Sequence, residues 1–432
     1  MQASGSQPWW SRPGLEVRDG RLEIAGRDAA SIAARLGTPR FVYDLVRIEE
    51  QARVLQGSLD RAGLPHRVRL ALKAQREPEA LALLRSLGPP GSPQSVGIDA
   101  CSPQEVLHAL AHGWRGEEIS YTGTNVSDRD LDVLLAYPIH LNVDLLSQLR
   151  RVGRRDPGRA VGLRINPRAG AGYRGGETTY SSGDRPTKFG IFPEQVDEAL
   201  GIAREHDLGI DTVHLHVGHR YLTDGLSAFE RGIECAAATA RRLSEAGHAI
   251  VEVNVGGGLG VPLADGDEPL DLDGWASMLA RHLSPLDVVV GVEPGDFLVK
   301  ESAILLLEVV TVEDREGARF VGVDAGWNVL NDGFVYGEAL QIVACEQADA
   351  SAVRPATVAG HINEGDDLFA EDLAMPEVRE GDVLAVLHCG SYAQSMTIVH
   401  CLRPPAPGSF FTDRVLAVTR SSAGGGRSGL RP

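Results

Sequence analysis

From Phe41 to Glu293 the chain alternates short aliphatic or β-branched runs with longer amphipathic stretches, the pattern that repeated βα units leave in a sequence. The strand-like runs include Val68–Leu72, Ile119–Tyr121, Ile139–Val143, Ala160–Ile165, Thr212–His216, Val251–Val255 and Val288–Val292. The helices between them include Arg47–Ala62 and Glu194–His206. This count fits a closed (β/α)8 TIM-type barrel better than an open sheet. After Glu293 the pattern turns β-rich, with Ala303–Val312, Phe320–Val323, Gln341–Ala344 and Val383–His388 broken by polar loops. The expected fold class is therefore α/β, a parallel barrel followed by a second, β-rich sandwich or barrel domain.

TIM-type barrels gather their chemistry at the C-terminal ends of their strands, and Lys73, Arg164, His216, Gly256–Gly258 and Glu293 all fall there. Lys73 closes the apolar run Arg69-Leu70-Ala71-Leu72. An amine at the end of a buried strand is expected to have a depressed pKa and can form a Schiff base. Successive glycines such as Gly256-Gly257-Gly258 let backbone N–H groups approach a phosphate. Taken in this order, the lysine, the glycine loop and Glu293-Pro294-Gly295 suggest pyridoxal 5′-phosphate.

The chain resembles the diaminopimelate and ornithine decarboxylase family, the alanine-racemase-like pyridoxal-phosphate enzymes, from about Gly37-Thr38-Pro39 to about Arg403-Pro404. The resemblance implies four parts. Residues 1–38 contribute a strand to the β domain, 39–295 form the cofactor-binding barrel, 296–418 form the β-rich domain, and the Gly/Ser-rich 419–432 is a disordered tail.

The resemblance also implies roles for single residues. Lys73 carries the cofactor as an aldimine, Glu293 holds the proton on its ring nitrogen, and His216 of His214-Leu215-His216-Val217-Gly218 stacks on the ring. Gly256, Gly257 and Gly258 with Tyr392 hold the phosphate. Asp99, Arg164 and Lys188-Phe189-Gly190 fall in register with the family, and Asp99 and Arg164 read as ring-proximal or ion-pairing residues. No metal site is expected, because the two histidines lack a third ligand nearby in sequence. Homodimerisation is implied too, with the Asn363-Glu364 loop of one subunit serving the Lys73 of the other.

Several positions depart from the family. Asn363 stands where the decarboxylases have a cysteine that protonates Cα, and an amide is not a useful general acid near neutral pH. Another donor is then needed for the quinonoid, with Lys73, His361 and His219 as candidates, or else it is protonated elsewhere or by water. His219 also replaces a serine that contacts the phosphate. Asp296 and Asp332 stand where diaminopimelate decarboxylases have arginines, so a distal carboxylate on the substrate would be repelled, and a cationic or hydroxyl-bearing substrate is expected ahead of ordinary diaminopimelate, which remains the runner-up. The candidate catalytic residues are therefore Lys73, His216, Asn363 and Glu364, and the candidate substrate contacts are Asp296, Asp332, Tyr336 and Glu364.

Composition narrows the function further. A chain of 432 residues with 43% hydrophobic content can bury a sizeable core in two domains. A formal charge of −17 opposes a nucleic-acid or anionic-membrane partner. The five cysteines lack metal-ligand spacing and read as reduced thiols, and the N-terminus lacks a basic region followed by an apolar stretch, so a cytoplasmic protein is expected.

The leading expectation is a decarboxylase of an amino acid that is either free or attached to a carrier or larger intermediate. Two other readings stay open. A racemase or epimerase needs a base on each face of the cofactor, and Asn363 leaves one face without one. A silent homologue that only binds partners has no chemical need for Lys73, His216, the glycine loop, Glu293 and Tyr392 together.

Overall fold

In the computed structural model of the protein, residues 8–175, 182–183, 186–337, 339–412 and 416–418 are described. The tail expected at 419–432 lies outside them. Eight parallel strands close into a barrel: His66–Ala71, Val96–Ala100, Ile119–Gly123, His140–Val143, Ala160–Ile165, Gly209–Leu215, Glu252–Asn254 and Val289–Val292. Val96–Ala100 is the strand that the named runs omit, because Gly97 and Asp99 break its apolar character.

Parallel barrel strands are buried on both faces, and here the two faces differ in chemistry. The outward residues are apolar and fully covered by the helices, as with Leu70, Ile98, Leu141, Leu163, Val213, Val253 and Val290. Alternate residues turn inward and are polar. Barrels of this type are usually filled by layers of branched aliphatic side chains. This interior instead holds a hydrogen-bonded polar network. Arg69 grips Glu252 with two bonds of 2.6 and 3.0 Å, and Asn142 donates to Ser120 and Thr122 at 2.9 Å each. Gly291 makes room for that grip, since a Cβ there would lie 2.3 Å from a Glu252 oxygen.

Helix Leu45–Arg61 shows how the outer layer is specified. Leu45, Ile48, Ala52, Leu55 and Leu59 recur at helical spacing and are buried against the barrel, while Asp44 caps the N-terminus through the Val46 N–H. Each such leucine or isoleucine buried stabilises the fold by roughly 1.5–3 kcal/mol.

The second unit is a nine-stranded sheet built on the long strand Ala303–Arg315. That strand pairs antiparallel with Arg40–Asp44, Ala318–Val323 and Val383–Val386. The early strand of this sheet is thus Arg40–Asp44, and the expectation that a strand before residue 38 completes it is corrected. Residues Leu15–Arg18, Arg21–Ile24 and Arg27–Asp28 instead form their own small antiparallel sheet. The reason lies in the tight turns at Asp19-Gly20 and Ala25-Gly26, all at positive φ, which fold the segment back on itself.

Candidate active site

The barrel strands His66–Ala71 and Val96–Ala100 end in register, Ala71 opposite Asp99, and the Leu72 N–H continues the pairing to the Asp99 carbonyl at 2.9 Å. Lys73 follows in the turn. Its side chain is solvent-accessible yet stands among Cys101, Tyr392, Asp99 and Arg164. The expected depression of its pKa is not found. The amine is held above the ordinary lysine range by Cys101 foremost, then Tyr392 and Asp99, which together outweigh burial and Arg164.

Glu293 is buried at the end of strand Val289–Val292. One oxygen accepts from Ser120 at 3.1 Å and from Asn254 at 2.6 Å, and the other lies 3.0 Å from Nε2 of His214. Burial alone would raise its pKa. The His214 imidazole, Arg69 and Asn254 outweigh that and hold the carboxyl well below the ordinary range, so it is an anion. Asp99 is driven the other way, pushed well above the ordinary carboxylate range by burial and by the Glu293 charge. Its Oδ1 has no hydrogen-bond partner among the described residues.

His216 is kept neutral by burial and by the cations Lys73 and Arg164. Arg164 pairs with Asp144 at 3.1 Å and lies 4.4 Å over the Phe189 ring, while the Gly190 N–H donates to the same Asp144 oxygen at 3.0 Å. Arg164 therefore pairs with Asp144 rather than Asp99, and Lys188-Phe189-Gly190 serves as its platform.

Gly256 and Gly258 lie at positive φ, and a Cβ on Gly257 would sit 2.2 Å from the Glu293 carbonyl oxygen, so only glycine fits this path. The Gly256 N–H is engaged by Asn254 at 2.9 Å. Those of Gly257 and Gly258 have no acceptor among the described residues. Tyr392 arrives from the second sheet, in a loop anchored beside Lys73 by Tyr392 N–H to Ala74 carbonyl at 3.0 Å and by Gln75 to Gly390 carbonyl at 3.1 Å. Its hydroxyl lies over Gly295, where a Cβ would approach it to 2.9 Å.

Residues 45–300 match the family described as pyridoxal-dependent decarboxylase, pyridoxal binding domain. The chain belongs to this family. Diaminopimelate decarboxylase of Methanothermobacter thermautotrophicus is 36% identical over 404 residues, covering 91% of each chain. That of Streptomyces coelicolor is 31% identical over 89% of this chain and 87% of its own. The crystal structure of diaminopimelate decarboxylase from Helicobacter pylori complexed with L-lysine superposes with a TM-score of 0.80 at 27% identity, over 90% of this chain and 95% of that one.

The chain is thus a pyridoxal-phosphate-dependent amino-acid decarboxylase of the diaminopimelate and ornithine type. Its residues fit the cofactor. The open amides of Gly257 and Gly258 suit a phosphate, and the anionic Glu293 suits a protonated ring nitrogen.

The remaining expectations fare unevenly. Asp296 is no unmet anion: its carboxylate lies 2.9 Å from Nε of Arg220 and 4.0 Å from Lys300, and accepts from Ser391. Arg220 offsets the Asp296 charge, so Asp296 does not face the site as a bare anion. Arg220 also stands 5.1 Å over the Tyr336 ring, which in turn lies 6.1 Å from Tyr392 and 6.4 Å from His219. Tyr336 therefore borders the site, and the Asp332 side chain lies outside what is described.

Asn363 and Glu364 are exposed on a turn of the second sheet, with Glu364 3.0 Å from His400. Among the described residues no hydrogen bond or ion pair joins either to Lys73, His216 or Glu293. Sequence reasoning missed Arg220, Asp144, Cys101 and the Glu293 partners Ser120 and Asn254. His214 was visible in its motif, and strand alternation from His216 offered the signal that both histidines point inward.

Proposed function

We infer that the decarboxylation takes place at Lys73, on an amino acid that carries a second charged group at its far end, with meso-diaminopimelate the first candidate. The observation that carries this reading is the placing of Lys73 and an ionised Glu293 at the same end of one barrel. The Arg220–Asp296 pair beside Tyr336 supports the candidate substrate, because the site presents a compensated pair instead of a bare anion. The names of the relatives point the same way.

When bound, the cofactor supplies an electron sink for the bond to the departing carboxylate. The chain's own residues do the rest. Lys73 provides the amine that holds the cofactor and exchanges with the substrate amine. Glu293, fixed by His214, Ser120 and Asn254, holds a proton at the ring nitrogen. Gly257 and Gly258 bind phosphate through their amides, Tyr392 closes the cradle from the second sheet, and His216 packs as a neutral ring.

The chain acts as a homodimer in this reading, with the exposed Asn363 and Glu364 directed to the site of a second copy. It works in the cytoplasm in this reading, as five cysteines without a disulfide suggest. Borohydride reduction of the loaded protein, peptide mapping and carbon dioxide capture test the account together. A label on Lys73 with carbon dioxide released from meso-diaminopimelate, lysine, ornithine or arginine is expected. A label elsewhere, or none, overturns the assignment of Lys73.

A further inference from the structure

Replacing a carboxylate by hydrogen needs a proton at the carbon that carbon dioxide leaves, and the two histidines that sequence offered for this are poor acids here. His219 is pushed below the ordinary range by burial and Arg220, and His361 by burial and Arg403, so both are neutral near pH 7. His361 lies on the second sheet's turn, its N–H bound to the Ala325 carbonyl at 2.9 Å.

A thiol stands beside Lys73. Cys101 is the residue after strand Val96–Ala100, which ends in register with the strand leading to Lys73, so the two turns emerge side by side at the barrel edge. Strand alternation places it on the inward face with Asp99, and it is half-buried. It is fixed from below: its N–H donates to the Glu105 carboxylate at 2.7 Å, and Ser102 caps the following helix through the Glu105 N–H at 3.2 Å. The other four cysteines lie on an outer helix or within the second sheet and its loops.

We propose that Cys101 is the proton donor that completes the decarboxylation, an inference that rests on the decarboxylase acting at Lys73. The carbon–carboxylate bond breaks and its electron pair stays with the substrate. The Cys101 S–H bond then breaks, its hydrogen forms the new C–H bond, and the thiolate regains a proton from water through the open mouth. The resting thiol keeps its proton, since burial pushes it up to about 12 against the opposing influence of Lys73. Lys73, when cationic, steadies the thiolate left behind. Of the groups around Lys73, Cys101 is the one whose charge, once ionised, weighs most on the amine, so the two side chains are close neighbours.

The test uses Cys101→Ala and Cys101→Ser beside the parent, all loaded with pyridoxal phosphate, in deuterium oxide. Substrate is whichever of meso-diaminopimelate, lysine, ornithine and arginine the parent consumes. Iodoacetamide labelling of the parent, read by peptide mass spectrometry, is expected to slow at least ~10-fold at Cys101 on cofactor loading, with Cys401 unchanged. Both variants are expected to bind cofactor with the parent's absorbance and to release carbon dioxide in the first turnover. Their steady-state rate should fall about 100-fold or more, the scale of a lost general acid. Bound aldehyde should convert to its amine form as the misdirected proton is taken up elsewhere. A variant that turns over at the parent's rate with normal deuterium uptake, or labelling indifferent to cofactor, overturns the donor role alone. A parent that releases no carbon dioxide overturns the decarboxylase reading and the donor role with it.

Discussion

Nε of Arg220 lies 2.9 Å from Oδ2 of Asp296, with both side chains buried at the mouth of the barrel. The pair joins the loop after strand Gly209–Leu215 to the segment that follows Glu293, so one ion pair links the histidine motif to the Glu-Pro-Gly motif. Burial makes it costly to break and cheap to delete whole. Removing one partner of a buried pair typically costs about 3–5 kcal/mol, while replacing both is often neutral.

Arg220→Met and Asp296→Asn should therefore each lower the urea midpoint sharply, and the double variant should recover much of the loss. Additive losses in the double variant would show that the two charges act independently. Arg220→Met should lose more than Asp296→Asn, because it leaves Asp296 with only the longer Lys300 contact at 4.0 Å and the Ser391 hydroxyl.

Glu293→Gln removes the charge while keeping the shape. Cofactor should still be trapped on Lys73 by borohydride, and the steady-state rate should fall at least about 100-fold, since the proton at the ring nitrogen is no longer held. A rate within a few-fold of the parent would remove Glu293 from that role.

Tyr392→Phe deletes the hydroxyl that lies over Gly295 and that the proposed function assigns to the phosphate cradle. A hydrogen bond to a charged group contributes about 1.5–3 kcal/mol, so the dissociation constant for pyridoxal phosphate should rise about 10-fold or more. Fluorescence titration of the apo-protein measures this, and an unchanged constant would place the hydroxyl away from the phosphate.

How much of this was legible beforehand depends on the range of the interaction. The barrel strands were readable because outward Leu, Ile and Val residues repeat locally, and the glycine loop and Lys73 were readable as motifs. Val96–Ala100 was not named because its inward positions, Gly97 and Asp99, dilute the apolar signal. Arg220 and Asp296 lie 76 residues apart in the chain, so no spacing rule joins them, and Asp296 alone looks like a repulsive anion. The raised amine of Lys73 has the same origin. Its neighbours Cys101, Tyr392 and Asp99 come from a different strand and a different sheet.

Acid should loosen the barrel through Glu252. Burial pushes its carboxyl up, but Arg69, with His140 and Arg67, brings it down to about 2 in the folded chain against an ordinary 4.5. A depressed carboxyl contributes stability that is fully present above its unfolded value and is lost as pH falls through the folded one. Thermal stability should thus fall between about pH 4.5 and 2, and Glu252→Gln should flatten that slope while costing about 3–5 kcal/mol at neutral pH. An unchanged slope in the variant would mean that other carboxylates dominate the acid response.

The central claim is that the carbon–carboxylate bond, rather than Cα–H, is broken at Lys73. Mass spectrometry of the products formed from meso-diaminopimelate, lysine, ornithine and arginine by the cofactor-loaded protein in deuterium oxide tests it most directly. The account predicts loss of carbon dioxide with one non-exchangeable deuterium at the former Cα. Deuterium uptake with the carboxylate retained would contradict it and identify a racemase.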